Sequence, residues 1–508
     1  MRAALPLVGV CLLTVAALFI RLQGLRGPDG ALDTDESRLA LAAQGVLATG
    51  LPILPSGRIY TRGLLSAYLM APSLRLFGPH DFAARLPSAV FGTALIPVAY
   101  VFGRAVAGPA VGLCAAAFTM VHPELISWSA QAWMPSLFTL VFVGAAYLLF
   151  LGYGHDRARM QVAGAAGFVV ALFVHELAVL LPMAVLATIA ARATRRDFAW
   201  FAGQGSLVAF AVLGGGLVML AVLGLLLRAG TIAGPVAEFR AHLVPWLTNV
   251  RLEYYYRVLV RDYPLLLAAA ALGVLLLRWS PNTGVLFLYM TLAAGVVTLG
   301  FIVYHTQQRY AIMLLPLFAI AAAWTIVEGL RLVGERWRSK PAGGAGVPAI
   351  ALALIFGLSL RGDLAEIARA DDSLKRSWLQ EFQAVGPAPD DLLFSDVPTI
   401  IAFYRGRADY WARVIDYERY GYLSGGEIRE VYTNAVRVGS EEDFLRIVAA
   451  NPGRRLWYVG RLKRFFMGDF FEPALRLRLA RSAQLAKRTA DGWVILRIDL
   501  GASEVGPR

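Results

Sequence analysis

Residues 5–22 read LPLVGVCLLTVAALFIRL. A helix needs about 20 mainly apolar residues to cross roughly 30 Å of hydrocarbon, and this run follows directly on Met1-Arg2. With no small-residue cleavage site ahead of a mature domain, it reads as a retained first helix rather than a removed leader. The same window predicts further spans at about 82–103, 109–127, 133–151, 161–174, 177–191, 200–227, 263–278, 283–303, 311–330 and 347–360, which makes eleven. Over the 508 residues, 58% are hydrophobic and 16% charged, a balance that excludes a string of soluble domains. Disorder and a disulfide framework are excluded too, by the many large apolar residues and by only two cysteines. Cys11 and Cys114 lie inside apolar runs and are expected to be buried thiols.

The net charge of +13 is nearly all arginine and lies between the apolar runs, with no nucleic-acid-binding motif beside it. Cytoplasmic loops and anionic lipid or phosphate partners account for it. If Met1 is cytoplasmic, the inward loops hold Arg104, then Arg157 and Arg159, then Arg192, Arg195 and Arg196, then Arg278, then Arg331, Arg336, Arg338 and Lys340. That order obeys the positive-inside rule only if 161–174 and 177–191 are two spans; a single span would turn the Arg192 to Arg196 cluster outward. Residues 23–81, 228–262 and 361–508 then lie outside the cytoplasm.

The tail is ordinary soluble sequence and reads as a small α/β domain. Leu392 to Asp396 predicts a strand and Pro398 to Tyr404 a helix. Ser440-Glu441-Glu442-Asp443 resembles a capping box opening a helix to about Ala450. Arg455 to Val459 predicts a further strand, and Gln484 to Asp499 a hairpin with Asp491-Gly492 at its turn. The expected fold class is thus a polytopic α-helical membrane protein, residues 1–360, with a small extracytoplasmic α/β domain, residues 361–508.

Familiar catalytic signals fail. Gly214-Gly215-Gly216 lies mid-span with no Lys-Ser/Thr behind it, so it is no phosphate loop. His175-Glu176 lacks the second histidine of a zinc protease, and no GxSxG marks a nucleophile elbow. What remains is Asp33-Thr34-Asp35-Glu36-Ser37-Arg38, just beyond the first span and ahead of a helical stretch from Leu39 to Leu47. Carboxylates at a helix start oppose the macrodipole, but one would suffice, and Arg38 three residues from Asp35 suits a local ion pair.

With Tyr60 to Leu65, Leu76-Phe77-Gly78 and Ala84-Arg85-Leu86-Pro87-Ser88 added, the chain resembles the GT-C superfamily of membrane glycosyltransferases. The likeness is to the branch of protein O-mannosyltransferases and the lipid A aminoarabinose transferase. That branch opens its first outer loop with an Asp-Glu pair, here Asp35-Glu36, follows it with a basic patch, here Arg62-Gly63-Leu64-Leu65, and enters a late span through arginine-tyrosine and leucine-proline, here Arg309-Tyr310 and Leu315-Pro316. Leu39 stands where the family often has tyrosine, and Arg62-Gly63-Leu64 replaces the lipid A enzyme's lysine-proline-proline.

The resemblance implies a polyprenyl-phosphate sugar as donor and a hydroxyl acceptor on protein, lipid or glycan, used at the outer face of a bacterial cytoplasmic membrane. A phosphate leaves readily and needs cations around its oxygens. Arg38, Arg62, Arg309 and His305 are the candidates. The weakly nucleophilic acceptor needs a carboxylate base. Asp35 is the choice, Glu36 orients the acceptor or supports Asp35, and Asp33 stands outside the matching pair. One base and no covalent intermediate fit inversion. No metal and no cofactor beyond the lipid-linked sugar are expected. The rival readings are a transporter or lipid flippase, opposed by the lack of inverted repeats and of acids within the spans, and an inactive scaffold that binds a partner.

Overall fold

The structure is a computed structural model that describes residues 5–25, 32–155, 157–193, 232–233, 253–255, 264–277, 283–302, 307–337, 378–489 and 492–501. These fall into two units, one drawn from residues 1–25, 88–225 and 239–368, the other from 26–87, 226–238 and 369–508. The expected spans at 200–227 and 347–360 lie outside the described residues.

The first unit is helical. Its helix α1 (Leu5–Gly24) exposes Leu5, Leu12, Val15 and Phe19, a row of apolar side chains of the kind that faces lipid or a protein neighbour. Cys11 is exposed on this face and Cys114 is half-buried, so the expectation of two buried thiols is corrected: an apolar run in a span places a thiol against lipid as readily as against protein. Among the described residues four helices are long and apolar enough to cross a membrane, or five if one bent pair counts as a single span. The chain is a multi-pass membrane protein.

Prolines set several helix starts in this unit. Pro109, Pro123 and Pro135 each occupy the first turn of a helix, α5 (Pro109–Val121), α6 (Pro123–Ser129) and α7 (Pro135–Leu149), where the missing N–H costs nothing. His122 precedes Pro123 and takes an extended conformation with ψ 119°, because proline disfavours a helical residue before it. The expected span at 109–127 is therefore broken into α5 and α6, bent by 59°. The helix α8 (Ala158–Leu172) is followed by a break, a single tight turn at Glu176–Val179 and α9 (Leu180–Ala193). The weakly apolar stretches at 161–174 and 177–191 are thus two helices. Small residues permit the closest crossings. A Cβ on Gly103 would stand 3.0 Å from the Cα of Gly112, where α4 (Asp81–Ala107) meets α5.

The second unit joins the first loop to the tail. The loop contributes α2 (Thr34–Thr49), β1 (Ile59–Tyr60) and α3 (Leu64–Phe77), and β1 pairs in parallel with β2 (Ile232–Ala233). The tail forms an eight-stranded sheet whose neighbours are, in order, Gly421–Ser424, Glu427–Glu430, Val436–Val438, Tyr410–Ala412, Leu392–Ser395, Arg455–Arg461, Trp493–Asp499 and Leu485–Arg488. The central strands β3 (Leu392–Ser395), β4 (Tyr410–Ala412), β7 (Val436–Val438) and β8 (Arg455–Arg461) run parallel. At one edge β9 (Leu485–Arg488) and β10 (Trp493–Asp499) form the expected hairpin, and at the other β5 (Gly421–Ser424) and β6 (Glu427–Glu430) form a second. The Glu441–Ala450 helix starts at the capping box of Ser440 and Asp443 read from the sequence. Phe394, Tyr458, Phe471 and Ile498 fill the core beneath the sheet.

Candidate active site

The acidic stretch of the first loop folds around a helix cap. Asp33 Oδ1 accepts a hydrogen bond from the Glu36 backbone N–H at 2.8 Å, and Glu36 Oε2 accepts one from the Asp33 N–H at 2.8 Å. This reciprocal pair satisfies two of the N–H groups that a helix start leaves unpaired. Asp33 keeps solvent on one side, yet protein packs closely around it. That desolvation, with the charges of Glu36 and Asp35, pushes its carboxyl up to about 6.

Glu36 points inward and is 2% exposed. The buried Arg85 grips it with two parallel bonds, Nε to Oε1 at 2.8 Å and Nη2 to Oε2 at 2.9 Å, the fork geometry that makes arginine the strongest partner for a carboxylate. Glu36 therefore fastens α2 to the start of α4 and fixes the turn on which Asp35 stands.

Asp35 is oriented differently. It sits in the first turn of α2, retains about a third of its side-chain surface, and pairs with Arg38 at 3.1 Å. The guanidinium of Arg38 lies 4.3 Å from the ring centroid of Tyr432 and 5.8 Å from that of Tyr420, both in the tail. Tyr60 is buried beside Tyr432 with ring centroids 6.2 Å apart. Burial and the neighbouring Tyr432 push its hydroxyl above the usual tyrosine range, while Arg62 close by opposes the shift. Asp35, Arg38 and Arg62 thus share one neighbourhood within this unit.

Further bonds from the tail clamp the same loop. The Leu32 N–H donates to the Tyr404 hydroxyl at 2.8 Å, and that hydroxyl donates to Asp81. Ser37 Oγ meets Thr399 Oγ at 3.0 Å. Tyr404, Thr399 and Tyr432 carry no signal of this role in the sequence, and Arg85 reads there only as part of the Ala84 to Ser88 stretch and not as the partner of Glu36, since the bonds of Arg85 and Tyr404 reach 49 and 372 residues along the chain. The local pattern legible in the sequence is the Asp35–Arg38 pair three residues apart, which forms here, whereas the capping box of Asp33 and Glu36 emerges only in the structure.

Of the other sequence-predicted residues, Arg309 lies in the first unit, in the short turn Gln308–Tyr310, and His305 lies outside the described residues. Among the described residues no three His, Cys, Asp or Glu side chains approach closely enough to hold a metal ion. Each loop acid already has a partner of its own: the cap for Asp33, Arg38 for Asp35 and Arg85 for Glu36.

Residues 61–218 match the family model described as dolichyl-phosphate-mannose-protein mannosyltransferase. No curated protein sequence matches the chain. In fold, the chain is similar to ArnT from Cupriavidus metallidurans in its apo state, with a TM-score of 0.60 and 15% identity over 98% of this chain and 99% of that one. The same enzyme bound to undecaprenyl phosphate gives a TM-score of 0.61 and 14% identity over the same shares. The oligosaccharyltransferase AglB from Archaeoglobus fulgidus, in complex with an inhibitory peptide and a dolichol-phosphate, gives 0.56 and 11% identity over 100% of this chain and 75% of that one. The chain has the GT-C fold, and its likeness runs to the branch that holds ArnT and the protein mannosyltransferases.

Proposed function

We propose that the protein is a glycosyltransferase that moves a sugar from a polyprenyl-phosphate donor to a hydroxyl acceptor at the outer face of a prokaryotic cytoplasmic membrane, with Asp35 as the general base. The observation that carries this reading is the division of labour between adjacent acids. Glu36 is spent on a buried anchor, whereas Asp35 stands partly open on the anchored turn. A base must be held firmly and still reach its substrate, and this turn meets both demands. The solved ArnT with undecaprenyl phosphate shows that a chain of this fold takes such a lipid.

In the reaction, Asp35 accepts the proton of the acceptor hydroxyl as oxygen bonds to the anomeric carbon. The bond to phosphate breaks on the opposite side, so the anomeric centre inverts. The departing phosphate keeps the negative charge, which cationic donors stabilise, and this role is proposed for Arg62, Arg309 and His305, with Arg38 shared between Asp35 and the phosphate. The three loop acids are engaged by protein partners, and the reading assigns them to no metal ion. Arginines between the spans direct the loop and tail outward. Full-length protein in lipid nanodiscs is supplied with undecaprenyl-phosphate sugars covering mannose, glucose, galactose, arabinose and aminoarabinose, with glycans of a deletion strain read by mass spectrometry. Asp35→Asn is expected to lower transfer by about 10²–10⁴-fold with an unchanged melting temperature. Wild-type transfer in that variant removes Asp35 as the base, and no turnover of any donor by the wild type removes the reading itself.

A further inference from the structure

The turn Glu430–Asn434 in the tail is built more firmly than a surface connection requires. Glu430 is buried, and its Oε2 accepts from the N–H groups of Tyr432 and Thr433 at 3.0 and 2.7 Å and from the Thr433 hydroxyl at 2.8 Å. Asn434 takes the left-handed conformation with φ 66°, and its side chain accepts from the Tyr422 hydroxyl at 2.7 Å. The first loop holds the turn from the other side. Ser56 Oγ donates to the Val431 carbonyl at 2.7 Å, and the Ser56 N–H donates to the Tyr432 carbonyl at 3.3 Å. All of this fixes one ring, that of Tyr432, which is 4% exposed.

The ring faces Arg38. Its centroid is 4.3 Å from the guanidinium carbon, while Arg38 Nε is buried with no hydrogen-bond partner among the described residues. The guanidinium is held by the carboxylate of Asp35 at 3.1 Å and by aromatic faces, of which Tyr432 is the nearer, with the buried Glu430 carboxylate adding attraction from the same turn. A planar cation stacked on a ring keeps its orientation, and a carboxylate bonded to that cation inherits it. We infer that Tyr432 is a positioning residue for Asp35, acting through Arg38, so that the carboxy-terminal domain supplies part of the catalytic geometry. This rests on the assignment of Asp35 as the base. It assigns the tail a task in the chemical step, beyond binding either substrate.

The test uses full-length protein in nanodiscs with the undecaprenyl-phosphate sugar that the wild type turns over, and undecaprenyl phosphate itself as the binding probe. Tyr432→Leu keeps an apolar side chain but loses the π face, and is expected to lower kcat about 10- to 30-fold. The KM for donor and the Kd for undecaprenyl phosphate are expected to change by no more than about threefold, since Arg38 is one of several cations assigned to the phosphate, so that the larger effect falls on kcat. Tyr432→Phe, which keeps the face, is expected to restore kcat to within about threefold. Tyr432→Met replaces the Leu variant if that one does not fold. Wild-type kcat in the variants lacking the ring, a loss confined to KM, or a Phe variant as slow as the Leu variant overturns the inference. Asp35→Asn run in parallel separates the two failures. If it is inactive while the variants lacking the ring match wild type, the positioning role alone falls; if it remains active, both readings fall.

Discussion

The bond between Glu36 and Arg85 offers the sharpest energetic test of how the candidate site is held. Both side chains are nearly inaccessible, at 2% and 7% exposed, and two bonds of 2.8 and 2.9 Å join them. Arg85→Met takes from the Glu36 carboxylate the guanidinium that bonds both of its oxygens, and a buried charge stripped of its counter-ion costs about 3–5 kcal/mol. In a cooperative unit of roughly two hundred residues, each kcal/mol moves the melting temperature by about 2–4 °C, so the drop is about 6–20 °C. Removing the charge on both sides is expected to be gentler. Glu36→Gln keeps an acceptor for the Asp33 N–H in the capping box, and with Arg85→Met it buries no charge at all. The double variant should recover at least about 2 kcal/mol of the loss, which a double-mutant cycle reads directly. The assay is thermal unfolding in nanodiscs, followed by tryptophan fluorescence. An Arg85→Met protein melting within about 2 °C of wild type, or strictly additive single effects, would falsify the idea that this pair anchors the turn of Asp35.

Two further predictions concern charge and orientation. The Asp33 carboxyl has a folded-state pKa raised to about 6, above its value in an unfolded chain. Its contribution to stability is therefore present at low pH and is lost as pH rises from about 4 to about 6. Asp33→Asn keeps a good cap and removes the titration, so its melting temperature should vary less across that window; an unchanged pH profile would refute the assignment. For orientation, single cysteines at Ser339 and Glu442 are introduced after replacing Cys11 and Cys114. The Glu442 side chain is 82% exposed, whereas Ser482 is buried and unsuited to labelling. An impermeant thiol reagent on intact cells should label position 442 and spare 339; the reverse pattern would place the loop and its acids in the cytoplasm.

Much of this architecture was legible because it is written locally. Several helices of the first unit follow from runs of apolar residues, and the two separate helices at 161–174 and 177–191 followed from the placement of Arg192 to Arg196. The capping box at Ser440 and Asp443 and the hairpin ending in Trp493 to Asp499 each lie within a few residues of chain. The break between α5 and α6 was also local, since Pro123 sits inside the apolar run, but hydropathy averages over a proline that the backbone cannot ignore. The partners in the candidate site were not legible. Arg85 reads as one member of the Ala84 to Ser88 stretch with no partner indicated, and Tyr432 as one aromatic residue in a soluble tail. Their roles arise only where α2 meets residues far along the chain, and spacing in a sequence carries no record of such meetings. The adjacent acids illustrate the limit. Sequence pairs Asp35 with Glu36, whereas helical geometry turns successive side chains about 100° apart, sending one to Arg38 and the other inward to Arg85.

The bonds that join the loop to the tail also order events during synthesis. Ser37 and Thr399 are 362 residues apart, and Ser56 and Val431 are 375 apart. At about 5–20 residues per second, α2 waits roughly 20 to 70 seconds after it is made before its partners leave the ribosome. The membrane helices can insert during that interval, while the turn that carries Asp35 still lacks its clamp. A message truncated before codon 399 would thus yield an acidic turn that lacks its bond from Ser37 to Thr399, however many spans had inserted by then.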